Sequence, residues 1–155
     1  DNGRAYALLH EATHAILHWE FVRAARSRGD LPAWLDEGWA EYMQGRIANT
    51  NAGKAELRAQ SERPDLEQAL RSGELYGLHR VLNFKSADFG ASTRQDVKYA
   101  QSWGLFRFLC ETDDADLRGL FIDYLRAASR GQGQASTFRK LFARAEAELA
   151  AAPWR

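Results

Sequence analysis

Apolar residues recur at three- and four-residue steps through the first part of the chain, and this spacing most constrains the fold. They are Leu8, Leu9, Ala12, Ala15, Ile16, Trp19 and Val22. The period matches one face of an α-helix, and it predicts one long helix over 3–28, with Gly29 as its C-terminal cap. A second strong helical pattern covers 94–111. Because no Asn-Gly turn joins alternating segments, we expect a mainly α-helical fold.

The other helices are placed by proline, glycine and capping residues. Further helices are predicted over 32–47, 54–61, 65–71, 116–129 and 136–151. Loops are predicted over 49–53 and 85–93, and the segment 75–84 is ambiguous. We expect Asp65 to cap its helix and Gly73 to end it. Since we find no internal repeat and no linker, residues 1–155 are predicted to form a single domain, which we expect to be a fragment of a longer protein.

Composition and charge exclude several classes of function. Lys and Arg number 21, as do Asp and Glu, so the formal net charge is zero and nothing global indicates nucleic acid or a membrane surface. Cys110 is the only cysteine, which excludes an intramolecular disulfide and a cysteine-based zinc cluster. No apolar run reaches the roughly 20 residues of a membrane span. The chain starts at Asp1 without a methionine, which leaves open an exported protein that has lost a signal peptide.

An HExxH motif occupies residues 10–14, inside the first predicted helix. Residues four apart lie one turn apart on the same helix face, so His10 and His14 can reach one metal ion. Glu11 lies about 100° further round the helix, beside the ion, where it can hold a metal-bound water and accept its proton. The alternative is that both histidines are partly exposed polar residues of an amphipathic helix.

A hydrolytic zinc site also needs a third protein ligand and an open position for water. A metzincin-type continuation would require Gly at 17 and His at 20, but the chain has Leu17 and Glu20. His18 would lie about 12 Å from His10 along the helix axis. That is too far to share one ion, so His18 stays a candidate substrate-binding residue. The third candidate is the next helix, whose segment 34–42 reads Trp-Leu-Asp-Glu-Gly-Trp-Ala-Glu-Tyr.

HExxH followed by this WLxEGxAxY helix resembles the gluzincin zinc peptidases. The chain is also similar to uncharacterised bacterial peptidase-MA-like domains, whose LPxWLxEGxAEY and YxQSWxLxxFL segments correspond here to 31–42 and 99–109. The resemblance implies a bacterial origin and Glu37 as the third zinc ligand. It also implies a zincin-like helical catalytic domain, in which the HExxH helix packs on the Glu-ligand helix beside a further helical bundle. Only nine residues precede His10, so we expect the usual N-terminal β-sheet to be reduced or missing.

Three further residues complete the predicted site. Glu41 lies one turn after Glu37 and would accept the second N–H of a metal-bound imidazole, which fixes its tautomer. Tyr99 follows Glu37 by about sixty residues, where similar enzymes carry a tyrosine that stabilises the oxyanion; packing within its helix is the alternative. His79 is the other candidate donor and a candidate substrate-binding residue. Asp36 is expected to be exposed or to make a local hydrogen bond.

These features predict zinc-dependent hydrolysis of a peptide bond by a metal-activated water, the gluzincin mechanism. Zn²⁺ is the expected cofactor and a peptide or protein the expected substrate, with no nucleic-acid partner and no membrane span. Glu11 would act as the general base and Tyr99 as the oxyanion donor. The main alternative is a non-catalytic zincin-fold domain that serves for binding or as a scaffold. Another is an all-helical domain whose HExxH is accidental. Subsite preference, endo- or exopeptidase action and the oligomeric state stay open.

Overall fold

A computed structural model of the chain describes residues 2–22, 31–51, 63–90 and 93–151. Within these ranges the chain forms helices joined by turns and short loops, and no β-strand. The α-helices are α1 (Asn2–Leu17), α2 (Ala33–Asn51), α3 (Pro64–Arg71), α4 (Leu78–Val81), α5 (Gln95–Glu111), α6 (Ala115–Ala128) and α7 (Ala135–Ala151). The prediction of a mainly α-helical fold is therefore confirmed.

The first helix differs from the single element predicted over 3–28. α1 ends at Leu17 and continues as one π-helical segment, His18–Val22. The predicted continuation over 23–28 and the cap at Gly29 lie outside the described residues. Within the described residues, the α-helix therefore gives way to a π-helix that begins four residues after His14.

The second helix begins as its proline predicts. The carbonyl of Pro32 accepts hydrogen bonds from the amides of Leu35 at 2.9 Å and Asp36 at 3.0 Å, which close the first turn of α2. The helix then runs to Asn51, so the loop predicted over 49–53 is wrong for its first three residues. The helix predicted over 54–61 lies outside the described residues.

The start of α3 corrects one capping prediction. Arg63, not Asp65, occupies the N-cap position, and Pro64 is the first helical residue. Proline suits this position because its missing N–H would have no partner within the helix, and its fixed φ is already helical. Gly73 follows the helix as predicted, with a φ of +69° that glycine adopts at no steric cost.

The ambiguous segment 75–84 contains only the short helix α4, and the loop predicted over 85–93 contains a 3₁₀ turn, Ser86–Phe89. Tertiary contacts hold this part of the chain in place. The side chain of Gln101 on α5 accepts from the Tyr76 amide at 2.8 Å and donates to its carbonyl at 2.9 Å. The segment is thereby tied to the middle of α5.

α2 packs against α1 on one side and α5 on another. α2 and α5 lie very close at Gly38, where an added Cβ would lie 2.4 Å from the carbonyl oxygen of Ser102 and 3.2 Å from Cβ of Phe106. A side chain at this position would force the two helices apart. Glycine therefore lets α5, which carries Tyr99, approach the helix that carries Glu37.

The core beside the start of α2 is largely aromatic. Trp34 is fully buried, its ring stacks on Tyr124 with centroids 5.9 Å apart, and it meets Phe138 edge-on at 5.8 Å. Large aromatic rings contribute much of the buried apolar area of a small core. These contacts with α6 and α7 hold the end of α2 that carries Glu37.

The face of α1 that packs inward is the histidine face rather than the most apolar one. Thr13 and Leu17 are buried, and His10 and His14 lie beside them at the same helical spacing. Three large apolar residues of this region are exposed: Leu8 at 70%, Ile16 at 62% and Trp19 at 59%. In the part of the chain that the structure describes, no helix has the length and hydropathy of a membrane span.

Candidate metal centre

The site forms where α1 and the first turns of α2 pack together. His10 faces Gln44 on α2, with Nδ1 to Oε1 at 3.2 Å, whereas His14 faces Asp36, with Nδ1 to Oδ1 at 2.9 Å. The later residue of α1, His14, thus meets the earlier residue of α2, Asp36, so the two helices run antiparallel here. This arrangement brings the Nε2 atoms of both histidines to Glu37.

Three ligand atoms form a small triangle. The Nε2 atoms of His10 and His14 are 3.0 Å apart, and they lie 3.3 and 3.4 Å from Oε2 of Glu37. Bonds of about 2 Å at tetrahedral angles place neighbouring zinc ligands about 3.3 Å apart. Within the described residues, these three are the His, Cys, Asp or Glu side chains that group closely enough to hold one metal ion.

The environment of Glu37 also fits a cation. Its Oε2 is buried and makes no hydrogen bond of acceptable geometry with a described residue. A buried carboxylate is costly unless positive charge faces it, and the two imidazole nitrogens at 3.3 and 3.4 Å leave room for a metal ion that would supply that charge more directly. The residues present therefore fit a divalent ion bound by two nitrogens and one oxygen, a donor set typical of catalytic zinc.

Asp36 is a site residue that the sequence analysis missed. Its carboxylate accepts from Nδ1 of His14, so it holds the ring with Nε2 turned toward Glu37. Such an outer carboxylate fixes the tautomer of a ligating histidine and raises its basicity. The Asp36 side chain is 37% exposed, but the expected local hydrogen bond is wrong, because its partner lies 22 residues away on the neighbouring helix. The contact between Asp36 and His14 depends on how α1 and α2 align, and no local pattern in the sequence indicates it.

Glu41 lies near Nδ1 of His10, the outer ring nitrogen that does not belong to the triangle, and Gln44 lies there too. Its Oε1 is 3.4 Å from Nδ1 of His10, whereas Oε1 of Gln44 is nearer, at 3.2 Å. The other oxygen of Glu41 accepts from Arg63 at 2.6 Å. No sequence pattern indicates Gln44 or Arg63, because only tertiary contacts bring them to the site: Gln44 meets His10 across α1 and α2, and Arg63 at the N-cap of α3 meets Glu41.

The charged side chains of the site shift one another's pKa values strongly. Contact with Glu37, then with Glu41, raises the pKa of His10 to about 9. Contact with Asp36, then with Glu37, raises the pKa of His14 to about 10. Burial alone would raise the pKa of Glu37, but the two imidazoles outweigh burial and lower it to about 2. Three carboxylates on α2 thus favour positive charge at the two histidines, as they would favour a bound cation.

Tyr99 and Glu11 border this cluster. The Tyr99 ring lies 6.2 Å from the His10 ring, and its hydroxyl makes a long hydrogen bond of 3.4 Å to the Phe89 carbonyl. Burial raises the pKa of Tyr99, and the charge of Glu37 adds most to this rise among the nearby acids, which include Glu11. The phenol therefore stays protonated at neutral pH. Glu11 itself is exposed, next to His10 on α1.

The two candidate substrate-binding histidines lie outside the triangle. His18 is exposed and is the first residue of the π-helical segment. His79 is exposed on α4, and its carbonyl accepts from the Asn83 side chain at 2.7 Å. Neither belongs to the group of metal-ligating side chains that the structure brings together within the described ranges.

Fold and site together define a helical protein with a His-His-Glu candidate metal centre. The family described as "Protein of unknown function (DUF1570)" matches residues 5–133, so the chain belongs to that family. No curated protein and no solved structure matches the chain. The matched region includes all three candidate ligands and Tyr99.

Proposed function

We propose that the protein is a zinc-dependent peptidase of the gluzincin type. One observation carries the proposal: Nε2 of His10, Nε2 of His14 and Oε2 of Glu37 lie 3.0 to 3.4 Å apart, as tetrahedral zinc requires, with Glu11 of the same HExxH motif beside them. A zinc ion held there would lower the pKa of a bound water toward about 7 and polarise a carbonyl group.

The side chains of the protein would supply the remaining steps. The Glu11 carboxylate takes a proton from the water as the water oxygen attacks the carbonyl carbon of the scissile peptide bond. Glu11 then passes this proton to the leaving nitrogen as the C–N bond breaks. Meanwhile the Tyr99 hydroxyl donates a hydrogen bond to the carbonyl oxygen, on which negative charge develops.

Two properties of these side chains support their roles. Glu11 is exposed on α1 next to a ligand, so a substrate and a water molecule can reach its carboxylate. Tyr99 has a raised pKa, so it carries the proton that an oxyanion donor needs. Its hydrogen bond to the Phe89 carbonyl is long at 3.4 Å and would be exchanged at little cost for one to a substrate oxygen.

Metal analysis and one variant test the proposal. The purified protein should bind about one zinc ion per chain. Glu11→Gln should retain zinc and thermal stability but lower peptide hydrolysis by about 10²–10⁴, because the amide cannot accept the proton. Glu20→Gln, a change of the same type at an exposed position of the π-helical segment, is the matched control and should leave hydrolysis near the wild-type rate.

Three outcomes would contradict the proposal. Neither bound zinc nor a thermal shift on adding zinc would remove the metal site. Full activity of Glu11→Gln would remove Glu11 from the mechanism. Zinc binding without hydrolysis of any member of a peptide library, by either protein, would favour the non-catalytic binding or scaffold domain.

A further inference from the structure

Arg63 links three helices next to the candidate metal centre. Its Nη1 donates to Oε2 of Glu41 on α2 at 2.6 Å, and its Nη2 donates to Oδ2 of Asp65 on α3 at 2.8 Å. Its guanidinium carbon lies 5.6 Å from the centre of the Trp103 ring on α5. The side chains of Arg63 and Glu41 are only 20% and 19% exposed, so solvent screens this charged contact poorly.

Glu41 is well placed to move to the metal. It lies one turn after Glu37, so both carboxylates face α1. Its Oε1 is 3.4 Å from Nδ1 of His10, across the ring from the Nε2 of the ligand triangle, so the carboxylate would have to swing round the ring edge to reach the metal. A carboxylate released from a guanidinium would be attracted more strongly to a divalent cation than to an imidazole N–H, because the cation carries two full charges.

We propose that Arg63 is a positioning residue that keeps Glu41 out of the metal's coordination sphere, so that the fourth position stays open for water. The inference rests on the proposed function, since an open position distinguishes a hydrolytic zinc site from a structural one. Arg63 does this by pairing with one oxygen of Glu41 while the other oxygen lies at the outer nitrogen of His10. Asp65 and Trp103 fix the guanidinium in that position.

The direction in which zinc affinity changes when Arg63 is replaced separates this role from a structural one. Without Arg63, Glu41 loses its counter-charge and becomes free to ligate the metal, so zinc should bind more tightly. If Arg63 only braces α3 against α2, its loss would loosen the site and weaken zinc binding. Removing Glu41 together with Arg63 takes away the competing ligand, so the loss of Arg63 should then have no further effect on zinc binding.

The experiment measures zinc dissociation constants by competition with a chromogenic chelator. Arg63→Met, which keeps an aliphatic stem against Trp103, should bind zinc about tenfold more tightly. Glu41→Gln should bind it about tenfold more weakly, the scale for loss of an outer partner of a ligating histidine. The double variant should bind zinc about as weakly as Glu41→Gln, because without Glu41 the loss of Arg63 releases no competing ligand; a return to wild-type affinity would show that Arg63 acts independently of Glu41. The control is Arg71→Met, at an exposed arginine of α3 that pairs with Glu67, and it should change affinity less than about twofold.

Cobalt replaces zinc in a second measurement that does not depend on activity. The visible spectrum of the wild-type Co²⁺ protein should change on adding azide, which occupies an open position. The Arg63→Met spectrum should not respond, because Glu41 fills that position. Arg63→Gln serves in both measurements if Arg63→Met does not fold.

Two further results would overturn the role of Arg63. They are unchanged or weaker zinc binding by the folded variant, and a wild-type-like response of its cobalt spectrum to azide. A wild-type protein that binds no metal would instead overturn the proposed function together with this inference. The two failures are therefore distinguishable.

Discussion

Replacing Gly38 by alanine tests the packing that holds the candidate site together. Gly38 directly follows Glu37 and faces the backbone of α5. The added Cβ would lie 2.4 Å from the carbonyl oxygen and 2.8 Å from the carbonyl carbon of Ser102. Both atoms belong to the backbone of α5, so no side-chain rotation relieves the clash and the helices must separate.

The structure sets the size of the effect. Normal van der Waals contacts require about 3.5 Å, so α5 must move by about 1 Å. Overpacking of this kind costs about 1–3 kcal/mol, and a clash with backbone atoms places Gly38→Ala near 3 kcal/mol. Alanine recovers about 1 kcal/mol through its higher helix propensity. The net loss of about 2 kcal/mol should lower Tm by about 4–8 °C in a domain of this size.

Thermal unfolding followed by circular dichroism measures this loss, and Gly45→Ala is the matched control. Gly45 lies on the same helix, and an added Cβ there meets nothing within 4 Å. Its replacement should therefore raise Tm by about 2 °C through helix propensity alone. Zinc affinity of folded Gly38→Ala should change little, because the three ligands lie on α1 and α2. Gly38→Ala as stable as the wild type would refute the argument.

Three further predictions concern the site. Asp36→Asn should keep the fold but weaken zinc binding about 10–100-fold, measured by chelator competition, because His14 loses its outer carboxylate. At pH 8, zinc binding should release about two protons. One comes from the imidazole pair, because the carboxylates raise the pKa values of His10 and His14 to about 9 and about 10 and Nε2 atoms 3.0 Å apart share one proton; the other comes from the zinc-bound water, whose pKa falls toward about 7. Calorimetry in buffers of different ionisation enthalpy measures this release, and only about one proton, the share of the bound water when both imidazoles have ordinary pKa values, would contradict it. Tyr99→Phe should lower kcat by roughly 10²–10³ with KM and zinc content unchanged, whereas activity near the wild-type level would assign Tyr99 to packing.

The long helices could be predicted because each carries its own signals. α5 follows the apolar period predicted over 94–111, and α6 begins after Asp114, whose carboxylate accepts from the amides of Asp116 and Leu117. The short α4 has too few residues to show a period, and Gln101 ties the neighbouring Tyr76 backbone to α5. A contact between distant parts of the chain has no local pattern in the sequence.

Some residues of the candidate site could likewise be predicted from the sequence, and others could not. His10 and His14 could be paired from sequence because one helix fixes their spacing. Glu37 entered through the resemblance to gluzincins, and the structure now brings its carboxylate to both imidazoles. The outer partners were only partly predictable: the spacing after Glu37 indicated Glu41, which lies 3.4 Å from Nδ1 of His10, but Asp36 at His14 depends on how α1 and α2 align.

That alignment explains why the segment 34–42 contains more than a metal ligand. Asp36 contacts His14, Glu37 faces both histidines, Gly38 admits the backbone of α5, and Glu41 meets Arg63. Successive positions on a helix point about 100° apart, so neighbouring residues of this segment necessarily face different elements. A change at Gly38 and a change at Asp36 should therefore fail differently, the first through lower stability and the second through weaker metal binding. Both measurements on both variants would show whether the segment specifies a helix junction as well as a ligand set.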